Sequence, residues 1–315
     1  MNFAHLHLIM NHVPTIGSVA ALGLLFLGYA RRNDHLKHVG LEVLFVIAVL
    51  TLPVYVSGVA AHQELRQMKE AAISDDAIRV HQDAAIIGFT LIEFAGFVGW
   101  AALWQWRRHG RPSRGLVPAS TILLLLSLAV MGWVANVGGE IRHPEILAGG
   151  VAAPAGDPER FMAWSIGQVA VYSYWVWPAA EAVHFLGLAL SLGVLLAINL
   201  RILGMMKQVA FADVHRLLPW GMLGFGANLI TGMFFFIGQP AQYTASDPFY
   251  WKIAFLMIAA ANFLYLTVFG RPWVEMAKAR FDAGAADKAM AIISLTSWLG
   301  VLYAGRMLPF LGKSF

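Results

Sequence analysis

Cysteine is missing from all 315 residues, and charged residues make up only 13% of the chain. The first absence excludes disulfides, thiolate zinc sites, iron–sulfur clusters and haem attached through thioethers, so any metal must sit on His, Met or carboxylate. The second, beside 59% hydrophobic residues and a mean hydropathy of +0.65, leaves too little polarity to cover a water-soluble surface. A basic leader followed by a small-residue cleavage site is also missing near the start, so no cleavable signal is expected. The net charge is +4 and the pI about 9.4, yet the basic residues are spread over loops and form no patch. No nucleic-acid partner is expected.

What remains is apolar sequence in spans. Eight stretches, about 12–30, 39–61, 82–106, 116–138, 176–203, 216–238, 251–270 and 289–308, are long enough to cross a hydrocarbon core of roughly 30 Å. The fold class read from them is all-α, a polytopic protein in membrane lipid, with about eight transmembrane helices in two four-helix bundles. Fourteen of the 22 Lys and Arg fall in the alternate loops 31–38, 107–114, 201–216 and 271–288. The positive-inside rule turns those loops toward the cytoplasm of a bacterial inner membrane and both termini toward the periplasm. The stretch AGGVAAPAGDP divides the chain into 1–150 and 151–315, and the aromatic segment after it reads as a helix lying at the interface. Residues 62–82 read as a short amphipathic helix on the outer surface.

Seven histidines, His5, His7, His12, His62, His81, His143 and His184, fall on the outer side of this topology. His12 opens the first span, His62 closes the second, His81 opens the third, and His184 lies two turns into the fifth. Ionisable groups at that depth face a bundle interior and have a partner. Neutral imidazoles from separate helices at one level point to a b-type haem, whose iron takes two axial ligands. His12 and His81, on diagonal helices, are the first expected pair, with His5 and His7 at its rim. His62 and His184 are the next candidates, for a second haem. Arg142 and Arg306 at outer helix ends suit haem propionates. Glu181, one turn before His184, suits a second-shell partner or a proton carrier near a quinone.

Two metal readings compete. Glu140/His143 and Glu181/His184 are both E-x-x-H pairs, as in di-iron carboxylate bundles, but two further glutamates at that depth are missing. HLHLIMNH offers imidazoles and a thioether to copper. A cofactor-free anchor for a soluble enzyme is the remaining reading.

The stretches WPAAEAVHFLGLALSLGVLLAINLRILG, DPFYWKIAFLMIAAANFLYL and SLTSWLGVLYAGRMLPF resemble an uncharacterised bacterial family of four-helix membrane proteins grouped with the b-type cytochromes. The first half, with NHVPTIG, SGVAAH and His81, resembles more weakly a second group of small four-helix membrane proteins bearing histidines at one end. The resemblance implies a redox-type bundle. This chain has Val268, Phe269 and Gly270 where some members of the family are expected to carry a histidine, so no haem is expected on the cytoplasmic side. The function expected is electron transfer between the quinone pool and a periplasmic donor or acceptor, such as a c-type cytochrome or a dehydrogenase. The chain would then act as a subunit of a larger oxidoreductase complex more than as a stand-alone enzyme.

Overall fold

The computed structural model describes residues 2–68, 74–142, 161–269 and 283–311. All regular structure among them is helical. Eight helical runs are long and apolar enough to cross a membrane, so the chain is a multi-pass membrane protein. The chain divides into two compact units, Met1–Ile166 and Gly167–Phe315. The break falls inside a helix, and not at the Gly/Pro-rich stretch near residue 150, which lies outside the described residues.

Unit 1 begins with α1 (Phe3–Met10) and α2 (His12–Ala30), separated only by Asn11, whose backbone stays right-handed. The first span therefore runs from Phe3 and not from His12. Then follow α3 (Asp34–Met68), α4 (Asp75–His109) and α5 (Leu116–Arg142). The segment 62–82 is no separate amphipathic helix: α3 runs on to Met68 and α4 starts at Asp75, where Ser74 Oγ accepts from Ala77 N at 3.3 Å. At its other end α4 stops at Gly110, whose φ of +72° is the left-handed cap that a glycine adopts without strain.

Packing runs α2 on α3, α3 on α4, α4 on α5 and α5 back on α2, which closes a four-helix ring, with α1 lying against α3. Small residues set the close approaches: a Cβ on Gly96 would stand 2.4 Å from Ala48 Cβ. Asp83 on α4 accepts from Met162 N and Ala163 N, each at 2.8 Å, and so caps α6 (Met162–Tyr172), the helix expected at the interface.

Unit 2 contains α7 (Val176–Ile202), α8 (Phe211–His215), α9 (Leu218–Gly238), α10 (Pro240–Thr244), α11 (Asp247–Leu264), which passes into a π-turn at Tyr265–Phe269, and α12 (Ala285–Leu311). Here α7 packs on α9, α11 on α12 and α12 on α7. Asn199 Nδ2 donates to Ser294 Oγ at 2.9 Å and Asn262 Nδ2 to the Met290 carbonyl at 2.8 Å. Two of the span asparagines thus bond between helices.

The α7–α9 crossing depends on two glycines. A Cβ on Gly224 would stand 2.6 Å from the Gly187 carbonyl oxygen and 2.8 Å from Ser191 N, and backbone cannot move aside as a side chain can. Gly224→Ala is therefore expected to destabilise unit 2 by about 1–3 kcal/mol, read as earlier unfolding on titration with SDS in mixed micelles.

Candidate functional site

Unit 1 brings His7 and His81 together. Their ring centres are 6.5 Å apart and the rings stand nearly perpendicular, at 77°. The sequence reading paired His81 with His12; the structure pairs it with His7. His12 is exposed and its Nδ1 meets the side chain of its neighbour Asn11, while His5 is exposed as well. His5 and His12 are seven residues apart and so share a face of the helical run, and His7 projects from the opposite face.

The two rings are held the same way. His7 Nδ1 lies 3.0 Å from the Val54 carbonyl oxygen, and a Cβ on Gly58 would stand 2.8 Å from His7 Cε1. His81 Nδ1 lies 3.1 Å from the Val134 carbonyl oxygen, and a Cβ on Gly138 would stand 3.0 Å from His81 Cε1. In both, an imidazole sits over a Val-x-x-x-Gly turn. A helical carbonyl at position i keeps one lone pair after bonding to N–H of i+4, and glycine at i+4 leaves that lone pair open. Ser57 Oγ also donates to the Val54 carbonyl at 2.9 Å and lies 3.3 Å from His7 Nδ1.

A carbonyl only accepts, so Nδ1 carries the proton in both rings. Nε2 of each neutral imidazole is then left with its lone pair. This is the arrangement that metal-binding histidines use, because the Nδ1–H bond fixes tautomer and ring orientation. Two imidazoles holding one metal in line, each nitrogen roughly 2 Å from it, have ring centres roughly 6–6.5 Å apart. The observed separation fits.

Glu64 near the end of α3 supplies what the sequence reading lacked. It accepts from Phe3 N at 2.9 Å and from Ala4 N at 3.4 Å, and Asn2 Oδ1 accepts from His5 N at 3.0 Å. A carboxylate at a helix N-terminus satisfies free N–H groups and complements the dipole, which pins α1 against α3 with His7 turned inward.

His62 is a different kind of residue. Gln82 Nε2 donates to its Nδ1 at 3.0 Å, so Nε2 carries the proton and donates to Asp75 Oδ1 at 2.7 Å. With both nitrogens engaged by side chains, it ties the end of α3 to the start of α4 and presents no free nitrogen here. Asp75 also takes Arg79 Nε at 2.9 Å and Arg66 Nε at 3.4 Å. His62→Ala is expected to destabilise unit 1 by about 1–3 kcal/mol, measured by thermal unfolding, because Asp75 and Gln82 lose their buried partner.

The remaining candidates scatter. In unit 2, His184 Nδ1 pairs with Thr231 Oγ1 at 2.7 Å, whereas Glu181 is exposed and so is not the partner that orients the His184 ring. Glu140 accepts from Asn136 Nδ2 at 3.0 Å on its own helix. His143 and the side chain of Arg142 lie outside the described residues, and Arg306 is exposed on α12. Among the described residues no three or more His, Asp or Glu side chains group as a metal site. Other span glycines serve helix packing: a Cβ on Gly17 would meet Ile47, one on Gly88 Met131 and one on Gly187 α9. Compared with protein families, curated proteins and solved structures, the chain matches none.

Proposed function

We propose that the protein is a membrane electron-transfer protein that carries one haem b on His7 and His81. The observation that carries this reading is the pair of imidazoles 6.5 Å apart, each with Nδ1 spent on a backbone carbonyl. Haem iron arrives with four porphyrin nitrogens and asks the protein for two axial ligands. Zinc and di-iron sites take three or more His, Asp or Glu side chains, a grouping not found among the described residues. When bound, haem supplies a one-electron couple.

The chain's own part is positional. Val54 and Val134 orient the two rings, Gly58 and Gly138 admit them, and Glu64 holds the helix that bears His7. With His62 engaged on both sides, a second haem between His62 and His184 is not proposed.

The charge distribution supports placing the His7–His81 end at the periplasmic face of a bacterial inner membrane. Its electron partner is then periplasmic, a c-type cytochrome or a dehydrogenase, within a larger complex. The resemblance of the α7, α11 and α12 stretches to an uncharacterised membrane family grouped with the b-type cytochromes agrees with a redox role.

The test is the absorption spectrum of the purified protein. A Soret band, an α-band after dithionite and one haem per chain by pyridine haemochrome are expected. A colourless protein expressed with ample haem supply would overturn the reading.

A further inference from the structure

Unit 2 carries a second layer of ionisable side chains that the haem reading does not use. His184 lies eight residues past the start of α7, Thr231 seven before the end of α9, Lys252 five past the start of α11, and Gly305 six before the end of α12. At 1.5 Å per residue all four sit about 8–12 Å from the same end of unit 2.

The chemistry of this layer is defined at two atoms. The Thr231 hydroxyl donates to its own-helix Ala227 carbonyl at 2.7 Å, so toward His184 it accepts. His184 Nδ1 therefore holds the ring proton and Nε2 is left as an acceptor. Lys252 runs along Gly305, where a Cβ would stand 3.7 Å from its Nζ, and among the described residues its amine has no ion pair. Phe235 meets the His184 ring at 5.6 Å, and Trp177 lies against Phe235 at 4.7 Å. Gly232 of α9 lies beside the same imidazole: a Cβ there would stand in van der Waals contact, 3.8 Å from His184 Cε1.

An ionisable side chain without an ion pair inside an apolar span is costly and marks a binding site more often than a structural one. We propose that this layer binds a quinol, with one hydroxyl donated to His184 Nε2, the other oxygen accepting from Lys252, and the flat ring against Phe235 and Trp177. A donor and an acceptor in an aromatic-walled apolar layer suit a ligand that carries two oxygens on a lipophilic ring. The proposal rests on the electron-transfer reading for its purpose, but the binding itself does not need haem.

The test titrates the purified full chain in detergent with a short-chain benzoquinol, following tryptophan fluorescence and confirming by equilibrium dialysis. Saturable binding of one molecule per chain is expected. His184→Leu and Lys252→Met should each weaken it about tenfold or more, the cost of one charge-assisted or buried hydrogen bond. Lys252→Arg should stay within about threefold of the wild type, which separates loss of the donor from misfolding. Equal binding by both weakened variants, no saturable binding in the wild type, or displacement by equimolar oleate would overturn the proposal, the last by making the layer a lipid-carboxylate site. A failure of the haem reading shows separately, as a missing Soret band in the same samples.

Discussion

His7→Ala and His81→Ala proteins are each expected to lose haem about tenfold or more relative to the wild type, while His12→Ala keeps its full complement. The distinction rests on geometry: His7 and His81 stand 6.5 Å apart on fixed tautomers, whereas His12 is exposed beside Asn11. Pyridine haemochrome content per chain is the measurement, with helix content by circular dichroism as the check on folding. A further readout answers the case in which a variant merely packs badly. His7→Gly leaves a hole of imidazole shape, so added imidazole should restore low-spin absorption to that variant. Loss of haem in His12→Ala with retention in His7→Ala would reverse the assignment.

The second large effect comes from residues that touch no cofactor. Gly58→Val and Gly138→Val place a branched side chain where His7 and His81 now rest, since the first added atom alone would stand 2.8 and 3.0 Å from the rings. Each ring must then leave its carbonyl, which frees the tautomer and tilts Nε2. A loss of about 10–100-fold in haem affinity is expected, in the range of broken supports around metal ligands. Gly132→Val is the matched control on α5, because a Cβ there meets nothing within 4 Å. It shares the change in helix propensity without the collision. Haem transfer to apomyoglobin would measure all three, and equal losses in Gly132→Val and Gly138→Val would remove the cradle from the account.

The same two turns show how far the sequence could be read. Eight apolar spans follow from composition, because a lipid-facing helix must be apolar for its whole length. That uniformity also hides orientation: in HLHLIMNHV both faces are apolar, so hydrophobic periodicity cannot say which one meets the bundle. The spacing of the histidines held more than was taken from it. His5 and His12, seven apart, had to share a face, and His7 had to point the other way. The expected start of the first span at His12 is one run too late: proline sits comfortably in a first turn, and the helical path continues back past Pro14 through Asn11 to Phe3.

Other features had no local signal. V-x-x-x-G is a common string in a membrane helix, and nothing near VYVSG or VANVG marks them as receivers of an imidazole. The partners of His62 come from a following helix, 13 and 20 residues away, and only the packing of α4 on α3 brings them together. Glu64 reads as an ordinary charge beyond an apolar run until α1 is seen to begin on it.

Electron paramagnetic resonance of the oxidised wild-type protein, beside His7→Ala and His81→Ala, tests the central claim most directly. Two imidazoles on one iron give a low-spin ferric haem in the wild type, and either variant should turn what haem it retains high-spin. A low-spin signal that survives unchanged in His7→Ala, or a wild-type protein with no haem signal, would contradict it.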